Sequence, residues 1–385
     1  MCVPLAHGLI GCDAREVDER HASQRFLEAP DWAGSQRPER RSVPGLDLSD
    51  LVGLVPAAEV VRRAARNVSP LSMTRPSAWM LRDAIAKAQG LVVGQIFPRA
   101  TMDQLLAPIM RAFVGPGDHV AIVSPCRPEF IRQTLSQGAR YVDIGRGSDW
   151  EMQHDAFERV LGDGTLRAAI LGRPDIPTGT LTPLSAVQQA LYAGLLVVVD
   201  ETDLAYSDPV AGLPRVMRPR ADSALLLFQE DDLPTDGLIV LRSIPGVGPG
   251  QMLYAVGEPQ TLARVWSVDA VASLFAPLAA AAWLALDHTA EARRTIVERC
   301  TTRSELRTAI HGLRGFEAFA SGAPCVVVRH PGAEGAVLRD SLASAGLIVA
   351  HSAHPSWRDA VALSLPLPDS LDRVVAVFDT LVGTL

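Results

Sequence analysis

The sequence predicts an α/β protein in which a large, mostly parallel sheet flanked by helices precedes a smaller α+β unit. Three observations carry this expectation. Short apolar runs such as His119–Ser124 and Leu195–Asp200 alternate with segments of helical spacing, as in parallel strands buried on both faces. Glycines and prolines, as in Gly115-Pro116-Gly117, punctuate the changes from one kind of segment to the other. A composition of 48% hydrophobic and 21% charged residues over 385 positions supplies the apolar side chains that a two-domain core requires.

In chain order, residues 1–45 are polar, rich in Arg and Glu and interrupted by prolines, so they read as a loosely draped arm. Val55–Asn67, Trp79–Gln89 and Met102–Phe113 have helical spacing. The strand His119–Ser124 follows, then the helix Pro128–Gly138, the strand Ala139–Ile144 and the helix Met152–Leu161. The strand Ala168–Gly172, the helix Pro183–Ala193 and the strand Leu195–Asp200 continue the alternation. Ala224–Phe228, Gly237–Arg242 and Gln251–Gly257 read as three more strands, and Pro259 to Leu313 as several helices. Beyond these, strands Pro324–Arg329 and Leu347–Ala350 flank a helix at Ala336–Ala345, and Val361–Leu365 precedes a last helix, Leu371–Leu381. The expected division is an arm (1–45), a large domain (46–265) and a small domain (266–385), with the first helix packing on the small one.

Several function classes are excluded. A net charge of −7 without a basic stripe argues against a nucleic-acid partner. The longest apolar run, Ala270 to Leu286, is broken by Ser273 and Pro277 and falls short of the roughly 20 residues of a membrane span. Met1–Gly11 lacks the charged start of a secretory signal, so a cytoplasmic location is expected. Cys2, Cys12, Cys126, Cys300 and Cys325 are dispersed, and the close pair His351 and His354 has no companion ligands, so no metal is expected. Among 36 basic residues only Lys87 is a lysine, so amine chemistry must use it or be absent.

Three ordered segments carry a resemblance. They are Arg111-Ala-Phe-Val-Gly-Pro-Gly-Asp118 with Ser124-Pro-Cys-Arg-Pro-Glu-Phe130, then Arg173-Pro-Asp-Ile-Pro-Thr-Gly-Thr180, then Leu195-Leu-Val-Val-Val-Asp-Glu201. Together they resemble the type I aminotransferases, most closely the histidinol-phosphate aminotransferase branch, from about residue 46 to the end. The resemblance implies the type I aminotransferase fold, a homodimer with a shared site, and pyridoxal phosphate bound at the strand ends. It gives Asp200 the ring nitrogen, Phe130 the ring face and Thr101 the phosphate.

The sequence then departs from the pattern. The family lysine falls at Gly246 or its neighbours in the Gly246-Val-Gly-Pro-Gly250 loop, and Lys87 lies on a helix of the N-terminal region. That lysine anchors the aldehyde and moves the proton. The asparagine of the ring hydroxyl falls on Ile176, a tyrosine on Asp203, the phosphate arginine on Gln251 and the carboxylate clamp near Ala362, with Arg358 too early to match. Each lost charge-assisted hydrogen bond forfeits about 1.5–3 kcal/mol. The expectation is therefore that no cofactor is used, and that a small-molecule substrate meets a repurposed site in specialised metabolism. Asp200, Asp203, Tyr206 and Arg242 would be catalytic, in a cyclisation, elimination or isomerisation. Arg99, Thr101, Phe130, Arg173, Asp175 and Ser243 would bind substrate, beside Glu201. Two alternatives stand beside it: a pseudoenzyme partner of an active aminotransferase, and a residual pyridoxal- or pyridoxamine-phosphate enzyme.

Overall fold

The computed structural model describes residues 45–51, 55–67, 75–207, 223–230, 232–247, 252–269, 276–287, 289–352 and 354–383. The expected arm lies outside them apart from Gly45, as do Gln251 and Gly248 to Gly250 of the glycine-rich loop. The first elements are β1 (Leu46–Asp47), α1 (Glu59–Asn67), α2 (Arg75–Gln89), β2 (Ile96–Arg99) and α3 (Met102–Phe113). Next come β3 (His119–Ile122), α4 (Pro128–Ser136), β4 (Arg140–Asp143), α5 (His154–Gly162), β5 (Leu166–Gly172), α6 (Leu184–Tyr192) and β6 (Leu196–Asp200). The main sheet ends with β7 (Leu238–Ile244) and β8 (Met252–Gly257), followed by α7 (Pro259–Val268), α8 (Ala276–Asp287) and α9 (Thr289–His311). The remaining elements are β9 (Glu317–Ala318), β10 (Cys325–Arg329), α10 (Gly335–Ser344), β11 (Leu347–Ile348), β12 (Ala360–Ser364) and α11 (Leu371–Thr380).

The main sheet has seven strands in the order β2-β8-β7-β6-β5-β3-β4. β8 pairs antiparallel with both β2 and β7, and the other pairs are parallel. Alternation along β6 sends Val197 and Val199 into one apolar layer and Leu196 and Val198 into the other. Both faces are thereby covered, which is why the strand reads as an unbroken apolar run. One layer is completed by α1, α2, α5, α6 and α8, the other by α3, α4 and α7. The smaller sheet runs β12-β10-β9, antiparallel throughout, and packs on apolar side chains of α9, α10 and α11.

Four differences from the sequence reading have physical reasons. β2 was missed because Ile96-Phe-Pro-Arg99 is short and contains proline; it is the sheet's edge strand, where a missing N–H is tolerated. Ala224–Phe228 is not a strand but part of a 3₁₀ helix, Ala224–Gln229. Its N–H groups at Ala224 and Leu225 are taken by Glu201 Oε1 and Ser223 Oγ, so no ladder can form there. α1 packs on α8, beside the large sheet, and Val61 is buried in the same apolar layer as Ala279, Ala282 and Ala285 of α8. β1 leaves the large sheet altogether and pairs in parallel with β11, Leu46 opposite Leu347.

Candidate functional site

The C-terminal ends of β5, β6 and β7 lie at one edge of the sheet, where open α/β sheets receive ligands. A small cleft opens there, lined by Thr202, Asp203, Tyr206, Ser243, Gly246 and Val55 among others. β6 ends on Asp200, whose Oδ1 accepts hydrogen bonds from the Thr202 N–H (3.0 Å) and hydroxyl (2.7 Å). Its Oδ2 accepts from Arg127 Nε at 2.9 Å. Arg127 Nη2 also donates to Asp203 Oδ2 at 2.5 Å. The Asp200 side chain is 2% exposed, against 11% for Arg127, so the guanidinium is the outer partner. Burial alone would lower the Arg127 pKa, but the charges of Asp200 and Asp203 outweigh it and hold the group above its ordinary value.

Asp175 follows the end of β5, and its Oδ2 meets Arg146 Nη2, both side chains being buried. Arg146 is fixed further by the Trp150 carbonyl (3.0 Å) and the Thr180 hydroxyl (2.9 Å). Asp175 Oδ1, by contrast, is buried without a hydrogen-bond partner. Burial pushes the Asp175 carboxyl up to about 7, against the opposing pull of Arg146.

A third network lies on the other face of the same strand ends. Glu201 accepts from Arg242 Nη1 (2.9 Å), the Ser223 hydroxyl (2.7 Å) and the Ala224 N–H (2.6 Å). Arg173 Nε lies 3.8 Å away, and Arg173 Nη1 donates to the Thr182 carbonyl. Arg242 and Arg173 therefore face Glu201 rather than Asp200.

The structure gathers Asp203, Tyr206 and Ser243 around the cleft and sets Asp200 behind Arg127. Ser243 Oγ donates to the Thr202 carbonyl at 2.5 Å, which ties the end of β7 to the turn after β6. The Tyr206 hydroxyl pKa is raised, by burial first and Asp203 second, so the phenol stays protonated. Thr101 caps α3, accepting from the Gln104 N–H. Arg99 is drawn away from the cleft: it is 2% exposed, stacks 3.9 Å over the Phe97 ring and pairs with Asp269 at 3.0 Å. Phe130 packs among Ile131, Leu105 and Ile109 in an apolar layer. Ile176 packs against Ala323 and Cys325, Ala362 is buried on β12, and Arg358 is exposed. Outside the cleft, His351 Nδ1 lies 3.0 Å from the Ala360 carbonyl, and His354 Nε2 lies 3.2 Å from Asp143 Oδ2. Sequence reasoning missed Arg127 and Arg146. Arg127 stood inside the quoted Ser124–Phe130 segment, a cation between prolines at a strand end, whereas nothing in the sequence marked Arg146.

No family model matches the chain. The histidinol-phosphate aminotransferase of Roseiflexus castenholzii is 24% identical over 315 residues, covering 78% of each chain. That of Sinorhizobium fredii is 26% identical over 312 residues, covering 79% of this chain and 78% of its own. Among solved structures, the Sinorhizobium meliloti histidinol-phosphate aminotransferase superposes with a TM-score of 0.77 at 18% identity, over 94% of this chain and 98% of that one. A histidinol-phosphate aminotransferase homologue from Erwinia carotovora gives 0.76 at 15% identity, over 88% and 96%. The chain has the type I aminotransferase fold and is aminotransferase-like in sequence. The Sinorhizobium meliloti structure is a complex with pyridoxal-5'-phosphate. That finding corrects the expectation that no cofactor is used, because the comparisons point to pyridoxal phosphate. The losses counted along the sequence took each missing side chain as a missing cofactor, whereas the carboxylate at the end of β6 and the capped start of α3 are still in place. No helix among the described residues is long and apolar enough to cross a membrane.

Proposed function

We propose that this aminotransferase-like chain holds a pyridoxal-phosphate-class cofactor without a covalent link, and acts on a small molecule at the strand-end cleft beside Asp200 by a route other than ordinary transamination. The observation that carries the reading is the position of Lys87. The chain's one lysine lies on α2 with its side chain 76% exposed and Nζ 2.6 Å from Asp83. A covalent link to the aldehyde needs an amine in contact with the bound cofactor. At Gly246, where the resemblance puts the lysine, φ is +81° and an added Cβ would stand 3.2 Å from Ala292 Cβ.

The residues present fit the group in kind as a non-covalent ligand. Asp200 is a carboxylate at a strand end suited to a protonated ring nitrogen, and Thr101 with the first turn of α3 suits a phosphate. When bound, the cofactor supplies an electron sink for charge developing beside its ring. The chain supplies orientation and protons. Thr202 fixes the Asp200 carboxylate, the protonated Tyr206 phenol is a donor at the cleft wall, and Asp175 can hold or release a proton near neutral pH.

The test is a titration of pyridoxal phosphate into the purified chain, followed by absorbance, borohydride reduction and intact mass. A saturable spectral change without a stoichiometric reduced adduct is expected. A stoichiometric adduct on Lys87 together with amino-group transfer would overturn the non-covalent reading. The absence of any saturable change would overturn the cofactor itself.

A further inference from the structure

We propose that Arg127 is a built-in competitor for the ring site: its guanidinium occupies the oxygen of Asp200 that a protonated ring nitrogen requires, and a ligand enters by turning it out. The inference rests on the cofactor reading above and concerns how that site is gated and which ligands pass.

Asp200 has two oxygens, and one is already engaged. Oδ1 receives the Thr202 N–H and hydroxyl. Oδ2 is the oxygen left for an incoming donor, and Arg127 Nε sits 2.9 Å from it. A ring N–H⁺ and the guanidinium therefore compete for the same acceptor. Exchange of one for the other keeps the charge in place, one cation against Asp200 and Asp203. Removal of Arg127 without a replacement would take from the buried Asp200 carboxylate the guanidinium that faces it, which is costly. A ligand must therefore bring its own positive nitrogen, and a neutral or purely anionic head group cannot displace the guanidinium at equal cost.

Arg127 is also built to be released. Arg146 is bonded to backbone carbonyls of Val123, Pro125 and Trp150 as well as to Asp175, and Arg242 is enclosed with Glu201 and Ser223. Among the described residues, the hydrogen bonds of the Arg127 guanidinium go to three side chains, those of Asp200, Asp203 and Thr202. It stands at the N-terminus of α4 and is the most exposed of these three arginines, so its side chain can swing out while the helix stays where it is.

The test uses pyridoxamine 5'-phosphate, which carries the ring without an aldehyde and so cannot react with surface amines. Its dissociation constant is measured by calorimetry for the full chain, for Asp203→Asn and for Arg127→Leu combined with Asp203→Asn. The double variant removes one positive and one negative charge together. Circular dichroism and melting curves establish that each variant is folded. If the closed arrangement dominates, its loss should tighten binding about tenfold or more in the double variant, with Asp203→Asn in between. Adding Asp200→Asn should remove that gain. A folded double variant that binds no tighter than the wild type, while the wild type binds, overturns the competitor role and leaves the cofactor reading standing. If neither wild type nor variants bind, the cofactor reading falls and the competitor role falls with it.

Discussion

Asp200 and Glu201 are neighbours at the end of β6, and strand alternation turns their carboxylates to opposite faces of the sheet. Glu201 enters a closed network in which its oxygens meet Arg242, Ser223 and the Ala224 N–H, with Arg173 beyond. Among the described residues, the cations Arg242 and Arg173 there face Glu201, and every named member is buried. Asp200 enters the converse arrangement, two anions around one partly exposed cation, with Asp203 lining the cleft. The difference separates a network that holds the strand ends together from one that can exchange a partner. Net charge and access distinguish them, since both contain the same residue types.

The largest effect that would break this comparison is on stability. Glu201→Ala removes the carboxylate that the buried Arg242 and Arg173 face, and loss of one partner from a buried pair costs about 3–5 kcal/mol. Asp200→Asn leaves Arg127 still paired with Asp203 and reachable by water, so a loss of about 1 kcal/mol is expected. Denaturant unfolding of the two variants measures this, and equal losses would mean that the Asp200 network is as structural as its neighbour. Binding should show the reverse ranking, with Asp200→Asn losing pyridoxamine phosphate affinity and any folded Glu201 variant retaining it.

A smaller effect sharpens the account of the missing amine. Gly246 carries a positive φ, and a Cβ there presses on Ala292. Gly246→Ala should destabilise the chain by about 1–2 kcal/mol, read as a lower denaturation midpoint with unchanged slope. No loss would show that the loop tolerates a side chain, so that the absent lysine is not enforced by the backbone.

Much of the fold was legible because the inner parallel strands β3, β5, β6 and β7 are largely apolar on both faces and the intervening helices have an apolar stripe. Leu196–Asp200 could be read from its own residues. β2 and β1 could not, since a proline-bearing edge strand and a two-residue pairing with β11 depend on partners far along the chain. The site was legible in part for the same reason. Asp203 and Tyr206 were singled out because they follow the end of β6, and Ser243 because it stands near the end of β7; the structure sets all three at the cleft. Arg242 was drawn into the same list because sequence adjacency to Ser243 does not reveal register. In the sheet Leu241 stands opposite Asp200, which puts Ser243 on its face and Arg242 on the other. Arg127 escaped because its role depends on the distance between two loops that are 73 positions apart.

The last prediction concerns Asp175, which belongs to neither network and pairs with Arg146 just after the end of β5. Its carboxyl, at about 7 in the folded chain, compares with about 4 in an unfolded one. A raised folded value means that the folded state binds the extra proton, so the contribution to stability is complete below about pH 4. It declines as pH rises towards 7, at roughly 1 kcal/mol per pH unit or less. Asp175→Asn cannot titrate, and the loss it causes by weakening the Arg146 contact is the same across that window. The stability gap between wild type and variant should therefore narrow from pH 4 to pH 7, while both remain folded. A constant gap would mean that the carboxyl is ionised throughout, with Arg146 prevailing over burial. The unpaired Oδ1 would then be a buried negative acceptor awaiting a donor, and the proton-holding role assigned to Asp175 would pass to Tyr206.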